Sequence, residues 1–307
     1  MKLIATNIKE TSKKFGKRDF GLSTGLTVID ESIRGLRPGN LILIGARPSM
    51  GKSSLMMDMS LSISKHDPVL VCSLEMPFEE LQERALANLA RLNYHRILSG
   101  IIDSDDKKLL GKAAHDLESR KLYVVDGLWK IYPDWVQDKE TKQTPTDSLS
   151  WIIRKSVSEY GVKAVFVDHL QFIGSEYLKT DNESLRLHKI TEALHFLTME
   201  LNIPIVLLSQ LRRMDQERKK ESTVPSMDDI RNSGQVEENS NIIMLLHRPD
   251  YYLEKQEIDL FSNKTENNVE MIICKNRGGP TGNVLLTFKN YCMSFEDTTK
   301  KDEGDLL

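Results

Sequence analysis

The 307-residue sequence has few cysteines, no long apolar run and little net charge, and each shortage removes a class of protein. Its three cysteines, Cys72, Cys274 and Cys292, are odd in number and show no CxxC spacing, which argues against a disulfide framework or a zinc knuckle. Cys72 and Cys274 lie in the apolar runs VLVCSLEM and VEMIICK, so they read as core thiols of a reducing compartment. The seven histidines, His169 and His195 among them, form no HExxH or other paired-ligand spacing, and no zinc is assigned. No stretch approaches the roughly 20 consecutive apolar residues of a membrane helix. The start MKLIATNIKETSKK lacks the apolar segment of a signal peptide, so a soluble, cytoplasmic protein is expected.

A formal charge of −3 and a pI near 6.2 argue against a surface that coats nucleic acid as a whole. Any such contact must be local. Two basic clusters offer it, Lys13, Lys14, Lys17 and Arg18, and then Arg212, Arg213, Arg218, Lys219 and Lys220. Solvated charge on a loop or helix is the alternative for both.

With 39% apolar and 28% charged residues, the chain suits one generous globular domain or two small ones. Short apolar runs alternate with helical stretches: LILIG at 41–45, VLVCS at 69–73, LYVVD at 122–126, AVFVD at 164–168 and IVLLS at 205–209. Unbroken apolar runs are the mark of strands covered by helices on both faces, which predicts an α/β fold with a mostly parallel sheet. Helices are predicted over Lys52–Lys65, Pro77–Leu92, Asp105–Leu117, Thr146–Tyr160 and Glu183–Leu201. NIIMLLH at 241–247, VEMIICK at 269–275 and VLLTF at 284–288 continue the sheet as an antiparallel half, the last two joined by the turn NRGGPTGN. Residues 1–20 read as an arm or linker helix, 21–295 as the main domain, and 296–307 as a charged, disordered tail.

Directly after the first strand comes ARPSMGKSS, residues 46–54, opening a helix. Phosphate chemistry accounts for this composition. Gly51 lets the backbone wrap closely around an anion, exposed N–H groups and the helix N-terminus bind phosphates, and Lys52 reaches the terminal groups. Ser53 would hold Mg²⁺. The candidate binding set is Ala46, Arg47, Pro48, Ser49, Met50, Gly51, Lys52, Ser53 and Ser54. The strict pattern begins with Gly, whereas Ala46 stands at that position and Gly45 is one residue too early. At average amino-acid usage the relaxed pattern arises by accident in roughly 2% of chains of this length, before its placement between strand and helix is counted.

The apolar run AVFVD ends in Asp168, about a hundred residues further on, where a carboxylate can hold the metal shell opposite the phosphate loop. SLEMP places Glu75 as the first carboxylate after its strand, a candidate general base for water. An acid stabilised by the dipole of the next helix is the other reading. Ser209 and Gln210 end another strand at the same edge, where Gln210 can sense a γ-phosphate.

Taken in order, GLSTGLTVIDESIRGLRPGNLILIGARPSMGKS, SLEMPFEELQER, VFVDHLQFI, LLSQLRR, PSMDDIRNSGQVEENSNIIMLLHRPDYY and KNRGGPTG resemble the motor domain of DnaB-type replicative helicases over roughly residues 20–290. The resemblance implies a RecA-like P-loop NTPase fold in a hexameric ring, with ATP and Mg²⁺ between neighbours and single-stranded DNA in the centre. It implies Lys52 and Ser53 as the Walker A pair, Glu75 as catalytic base, Asp168 as the Walker B carboxylate, Arg84 as a basic position near the nucleotide, and Gln210 as sensor. Lys275 and Arg277, which alone would read as solvated charge at a hairpin turn, match fingers reaching the neighbour's γ-phosphate. DDIRNSG matches the central DNA loop and implicates Arg231, Asn232 and Gly234, although the family often carries Glu where Asn232 stands.

The family also places a helical domain and a linker helix ahead of the motor, and only the arm is expected in this sequence, as in a compact phage or plasmid helicase. That bears on contacts with primase, a helicase loader and other replisome proteins. The leading expectation is an ATP-dependent helicase moving 5′ to 3′ in a bacterial cell or phage-infected host. A DNA-binding ATPase switch without unwinding, or an inactive partner of a host ring, are the alternatives.

Overall fold

The structure is a computed structural model and describes residues 20–127, 145–173, 183–212, 223–230, 233–249, 251 and 266–298. In chain order these form α1 (Thr27–Ile33), β1 (Leu41–Ala46), α2 (Lys52–Ser64), β2 (Val69–Ser73), α3 (Phe78–Ala90), α4 (Tyr94–Leu98), α5 (Ser104–Ser119) and β3 (Leu122–Asp126). They continue with α6 (Pro145–Tyr160), β4 (Ala164–Asp168), α7 (Glu183–Leu201), β5 (Ile205–Gln210), α8 (Ser233–Asn239), β6 (Ile242–His247), β7 (Glu266–Asn276), β8 (Gly282–Lys289) and β9 (Ser294–Asp297). Single 3₁₀ turns cover Leu170–Phe172 and Met227–Asp229.

The strands form one nine-stranded sheet in the order β3-β2-β4-β5-β1-β6-β7-β8-β9. β3 to β6 are mutually parallel, and antiparallel pairing begins between β6 and β7. The expectation of a wholly antiparallel C-terminal half is corrected at its first strand: β6 runs parallel to β1. Alternate side chains of β1 enter two cores. Ile42, Ile44 and Ala46 pack with α1, α2 and the inner residues of α3, while Leu41 and Leu43 face α6 and α7 on the other side. Burial on both faces explains why the run shows no polar alternation; each fully buried Leu or Ile contributes about 2 kcal/mol.

The helices predicted from periodicity form with small boundary changes. α5 begins at Ser104 because Asp103 closes a capping box with Asp106. α3 ends at Ala90, before the expected Leu92, because Arg91 turns left-handed at φ 54°. Its guanidinium leaves the helix to reach Ser294 and, at 2.8 Å, the Glu296 carboxylate.

Strand β9 extends two residues into the segment read as a charged tail. Glu296 also pairs with Lys289 at 2.7 Å, and the backbone N–H of Phe295 donates to Asp58 of α2 at 2.7 Å. Asp297 accepts from the N–H groups of Thr27 and Val28 at 2.9 and 3.2 Å, so it caps α1 from 270 residues away. Replacing Asp297 with Ala should therefore destabilise the protein by about 1 kcal/mol. An unchanged urea midpoint for Asp297→Ala would show that this end of the chain is not docked as described.

Candidate nucleotide site

β1, β4 and β5 are parallel, so their C-terminal ends reach the same edge of the sheet, and the loop after β1 turns over that edge into α2. Gly45 serves packing rather than phosphate: an added Cβ would lie 2.8 Å from Leu245 and 2.9 Å from Leu211. Gly51 has φ +98°, which L side chains rarely adopt, and a Cβ there would stand 3.0 Å from the Phe295 ring. The one-residue offset from the strict motif thus has a local reason, and the glycine that shapes the loop is Gly51.

A cleft of about 630 Å³ opens over this loop. It is lined by Ala46, Arg47, Pro48, Ser49, Met50, Gly51, Lys52, Ser53 and Ser54, and also by Glu75, Arg84 and Gln210. Its size suits a ligand with several phosphates and a base. Asp168 lies fully buried behind Lys52 and Ser53 of the lining, where it takes the Lys52 ammonium on Oδ1 and the Ser53 hydroxyl on Oδ2 at 2.5 Å. Burial by itself would raise this carboxyl, but the nearby His169 ring, 3.6 Å away, and the charge and hydrogen bonds of Lys52 and Ser53 lower it to about 2. An ionised carboxylate beside a hydroxyl is a hard oxygen donor set that fits Mg²⁺.

Glu75 is half exposed in the cleft, and its Oε2 stands 3.1 Å from Nδ1 of the buried His169. Sequence spacing gave no reason to single out His169. Only the meeting of the ends of β2 and β4 puts its ring between the two carboxylates. Gln210 is held from behind: Gln171 accepts from its N–H at 3.1 Å and donates to its carbonyl at 3.1 Å, and also to Ser209 at 3.0 Å. Arg84 is oriented by Glu80, one helical turn earlier, at 2.6 Å and lies over the Tyr94 ring.

The far wall comes from the antiparallel half. Arg248, Tyr251, Phe288, Asn290 and Met293 line the cleft, and none was singled out from the sequence. Arg248 donates to Asn267 at 2.6 Å, Asn290 at 3.1 Å and the Ser49 carbonyl at 3.3 Å, with its guanidinium stacked over Phe288. For Arg248 and Tyr251 the one available signal was the HRPDYY run, which carries no spacing rule of its own; Phe288, Asn290 and Met293 lie outside it.

Other expected site residues lie elsewhere. Lys275 and Arg277 do not line this cleft; Lys275 donates to the Glu237 carbonyl at 2.5 Å and Arg277 to that of Glu238 at 2.8 Å. Both cations thus rest on the last carbonyls of α8, the negative end of that helix. Burial, then the neighbouring Arg277, lowers the Lys275 ammonium. Gly234 is exposed in α8, whereas Arg231 and Asn232 lie outside the described residues. The arm cluster and Arg213, Arg218, Lys219 and Lys220 also lie outside them. Arg47 lines the cleft, yet its guanidinium is engaged with the Thr223 carbonyl and with Asp229.

A mostly parallel sheet with this loop after β1, a buried Asp ending β4 and an antiparallel extension is the fold of RecA-like ATPase domains. Two solved structures share it. "The Structure Of A DnaB-Like Replicative Helicase And Its Interactions With Primase" matches with a TM-score of 0.80 at 25% identity, over 97% of this chain and 69% of that one. A second, solved as an isolated ATPase domain, matches with a TM-score of 0.78 at 26% identity, over 95% of this chain and 96% of that one. The chain belongs to the DnaB-like helicase C terminal domain family, which matches residues 21–297.

Replicative DNA helicase DnaB of Haemophilus influenzae is 33% identical over 285 residues, which is 92% of this chain and 56% of that protein. The DnaB of Helicobacter pylori is 32% identical over 320 residues, covering 94% and 62% respectively. The chain spans little more than half the length of the curated relatives it matches.

His247, buried at the end of β6, supplies a pH test of this region. Burial, and then the charge of Arg47, lower its imidazole from 6.5 to about 4. A base depressed in the folded state stabilises the fold above its unfolded pKa, and that contribution is lost as pH falls through the folded value. Stability should therefore drop from about pH 6.5 to about pH 4, and His247→Gln should remove that part of the slope. Parallel denaturation profiles for the two proteins across this window would refute the assignment.

Proposed function

We propose that this protein is an ATP-dependent DNA helicase motor that hydrolyses ATP at the interfaces of a ring of its own copies. The reading rests above all on one observation: the cleft gathers Gly51, Lys52, Ser53, Glu75, Arg84 and Gln210 over the buried, ionised Asp168.

In this reading the backbone N–H groups of residues 49–52 and the N-terminus of α2 receive the phosphates, and Lys52 turns from Asp168 toward the β- and γ-groups. Ser53 and Asp168 would hold Mg²⁺, which supplies charge neutralisation along the phosphate chain. Glu75 takes the proton of the attacking water. Gln210, fixed by Gln171, contacts the γ-phosphate and registers its loss. Arg84 steadies the nucleotide from α3.

Hydrolysis also needs cations against the transition-state charge, and Lys275 and Arg277 are away from their own cleft. They serve a neighbour's, so activity requires assembly, with a hexamer as the arrangement. Arg231, Asn232 and the backbone at Gly234 hold the phosphates of single-stranded DNA without reading its sequence. Movement 5′ to 3′, unwinding of duplex, and contacts with primase or a loader complete the reading. What supports this part of the reading is kinship with replicative DnaB helicases, and the solved structure of a DnaB-like replicative helicase described with its interactions with primase.

Steady-state ATP hydrolysis by the purified chain should rise in specific activity with protein concentration and increase with unstructured single-stranded DNA. Arg277→Ala should lower the stimulated rate by at least about a hundredfold. Robust hydrolysis indifferent to concentration, DNA and Arg277 would instead mark a self-contained nucleotide switch.

A further inference from the structure

Arg47 is conspicuous because it belongs to the phosphate loop and yet its guanidinium is bound to groups of another segment. Its side chain is 6% exposed, and Nη2 lies 3.0 Å from Oδ2 of Asp229, itself 4% exposed. Its other terminal nitrogen, Nη1, donates to the carbonyl of Thr223. The same Asp229 oxygen accepts from the N–H of Ser226 at 3.0 Å, closing the 3₁₀ turn Met227–Asp229 as a capping box. This turn immediately precedes Arg231, Asn232 and Gly234.

The backbone around the pair is stitched to the γ-phosphate sensor as well. Arg212, two residues beyond Gln210, donates its N–H to the carbonyl of Asp229 at 2.8 Å, and Leu211 bridges Ile230 in antiparallel fashion. Leu211 in turn donates its N–H to the carbonyl of Ala46 at 2.9 Å. Thus the end of β1, the end of β5 and the turn at 227–229 meet at one buried point, with the Arg47–Asp229 pair as its charged member.

A buried ion pair adds little net stability over a well-packed apolar pair, but breaking it strands an uncompensated charge. Its physical effect is to make its two ends move as one. A guanidinium gripping a carbonyl with one arm and a carboxylate with the other also fixes direction, as an ammonium would not.

Resting on the motor reading above, we propose that Arg47 is a positioning residue that couples phosphate binding at its own loop to the DNA-holding segment through Asp229. When phosphates draw the backbone of residues 46–52 toward them, the pair carries the displacement to the turn at Met227–Asp229, and the affinity for DNA changes with it. Linkage makes the effect reciprocal: DNA bound there alters nucleotide affinity by the same factor that nucleotide alters DNA affinity, on the order of 5- to 150-fold for coupling of usual size.

The test compares the full chain with Asp229→Asn, which keeps an acceptor for Ser226 but removes the charge, and with Arg47→Lys, which keeps the charge but loses the fork. Thermal melting confirms folding. Hydrolysis is then measured with and without oligodeoxythymidylate, and affinity for that oligonucleotide with and without a non-hydrolysable ATP analogue. The expected result is a folded Asp229→Asn protein with DNA-free hydrolysis within about twofold of the parent. Its stimulation by DNA should fall about fivefold or more, with an equal loss in the analogue-dependent change of DNA affinity. Should Asp229→Asn fail to melt cooperatively, the same two ratios are read on Arg47→Lys and decide in the same way. A parent stimulated by DNA beside a folded variant stimulated equally would overturn the coupling role alone. A parent that hydrolyses ATP without regard to DNA overturns the motor reading and this inference together.

Discussion

Everything at the candidate site depends on strands that run the same way ending at the same edge. β1 lies inside the sheet between β5 and β6, with β4 next beyond β5. The loop that leaves β1 therefore turns over an edge already occupied by the polar ends of its neighbours. Asp168 ends one such neighbour and Gln210 another. The contact of Lys52 and Ser53 with Asp168 joins the start of α2 to the end of β4, residues 115 and 116 positions apart. The carboxylate remains ionised in a fully buried place because those donors outweigh the desolvation that opposes them.

The antiparallel half completes this arrangement. Its strands bring Phe288 and Phe295 into contact, ring centroids 4.5 Å apart, beside Gly51. They also supply Arg248, which ties the phosphate loop at Ser49 to Asn267 and Asn290. Through β9 the same half reaches α1, α2 and the end of α3. A loop with positive φ at Ser49 and Gly51 is thereby surrounded by structure that holds its shape before any ligand arrives.

On the opposite side the loop is anchored to the segment before α8, and the far end of α8 carries Lys275 and Arg277. One short helix thus stands between the segment assigned to DNA and the cations assigned to a neighbouring subunit. In the proposed reading, this helix and the Arg47–Asp229 pair relate nucleotide, DNA and neighbour through adjoining contacts.

The linear sequence determined the five longer helices, the strands β1 to β8 and the phosphate loop, because these follow from local properties. Unbroken apolar runs imply strands buried on both faces, 3.6-residue spacing implies helices, and a Gly-Lys-Ser turn between strand and helix implies an anion site. Asp168, Glu75 and Gln210 were legible for a similar reason: each ends a strand or directly follows one, and strand ends in a parallel sheet share an edge. Tertiary structure alone decided what depended on distant segments meeting. The parallel run of β6, the docking of Glu296 and Asp297, the seat of His169, the grip of Gln171 on Gln210, and the wall around Arg248 have no local pattern. The Arg47–Asp229 pair is the plainest instance. Its members stand 182 positions apart, from sequence Arg47 reads only as part of the phosphate loop and Asp229 as an ordinary charged loop residue, and only the shared edge of β1 and β5 brings them together.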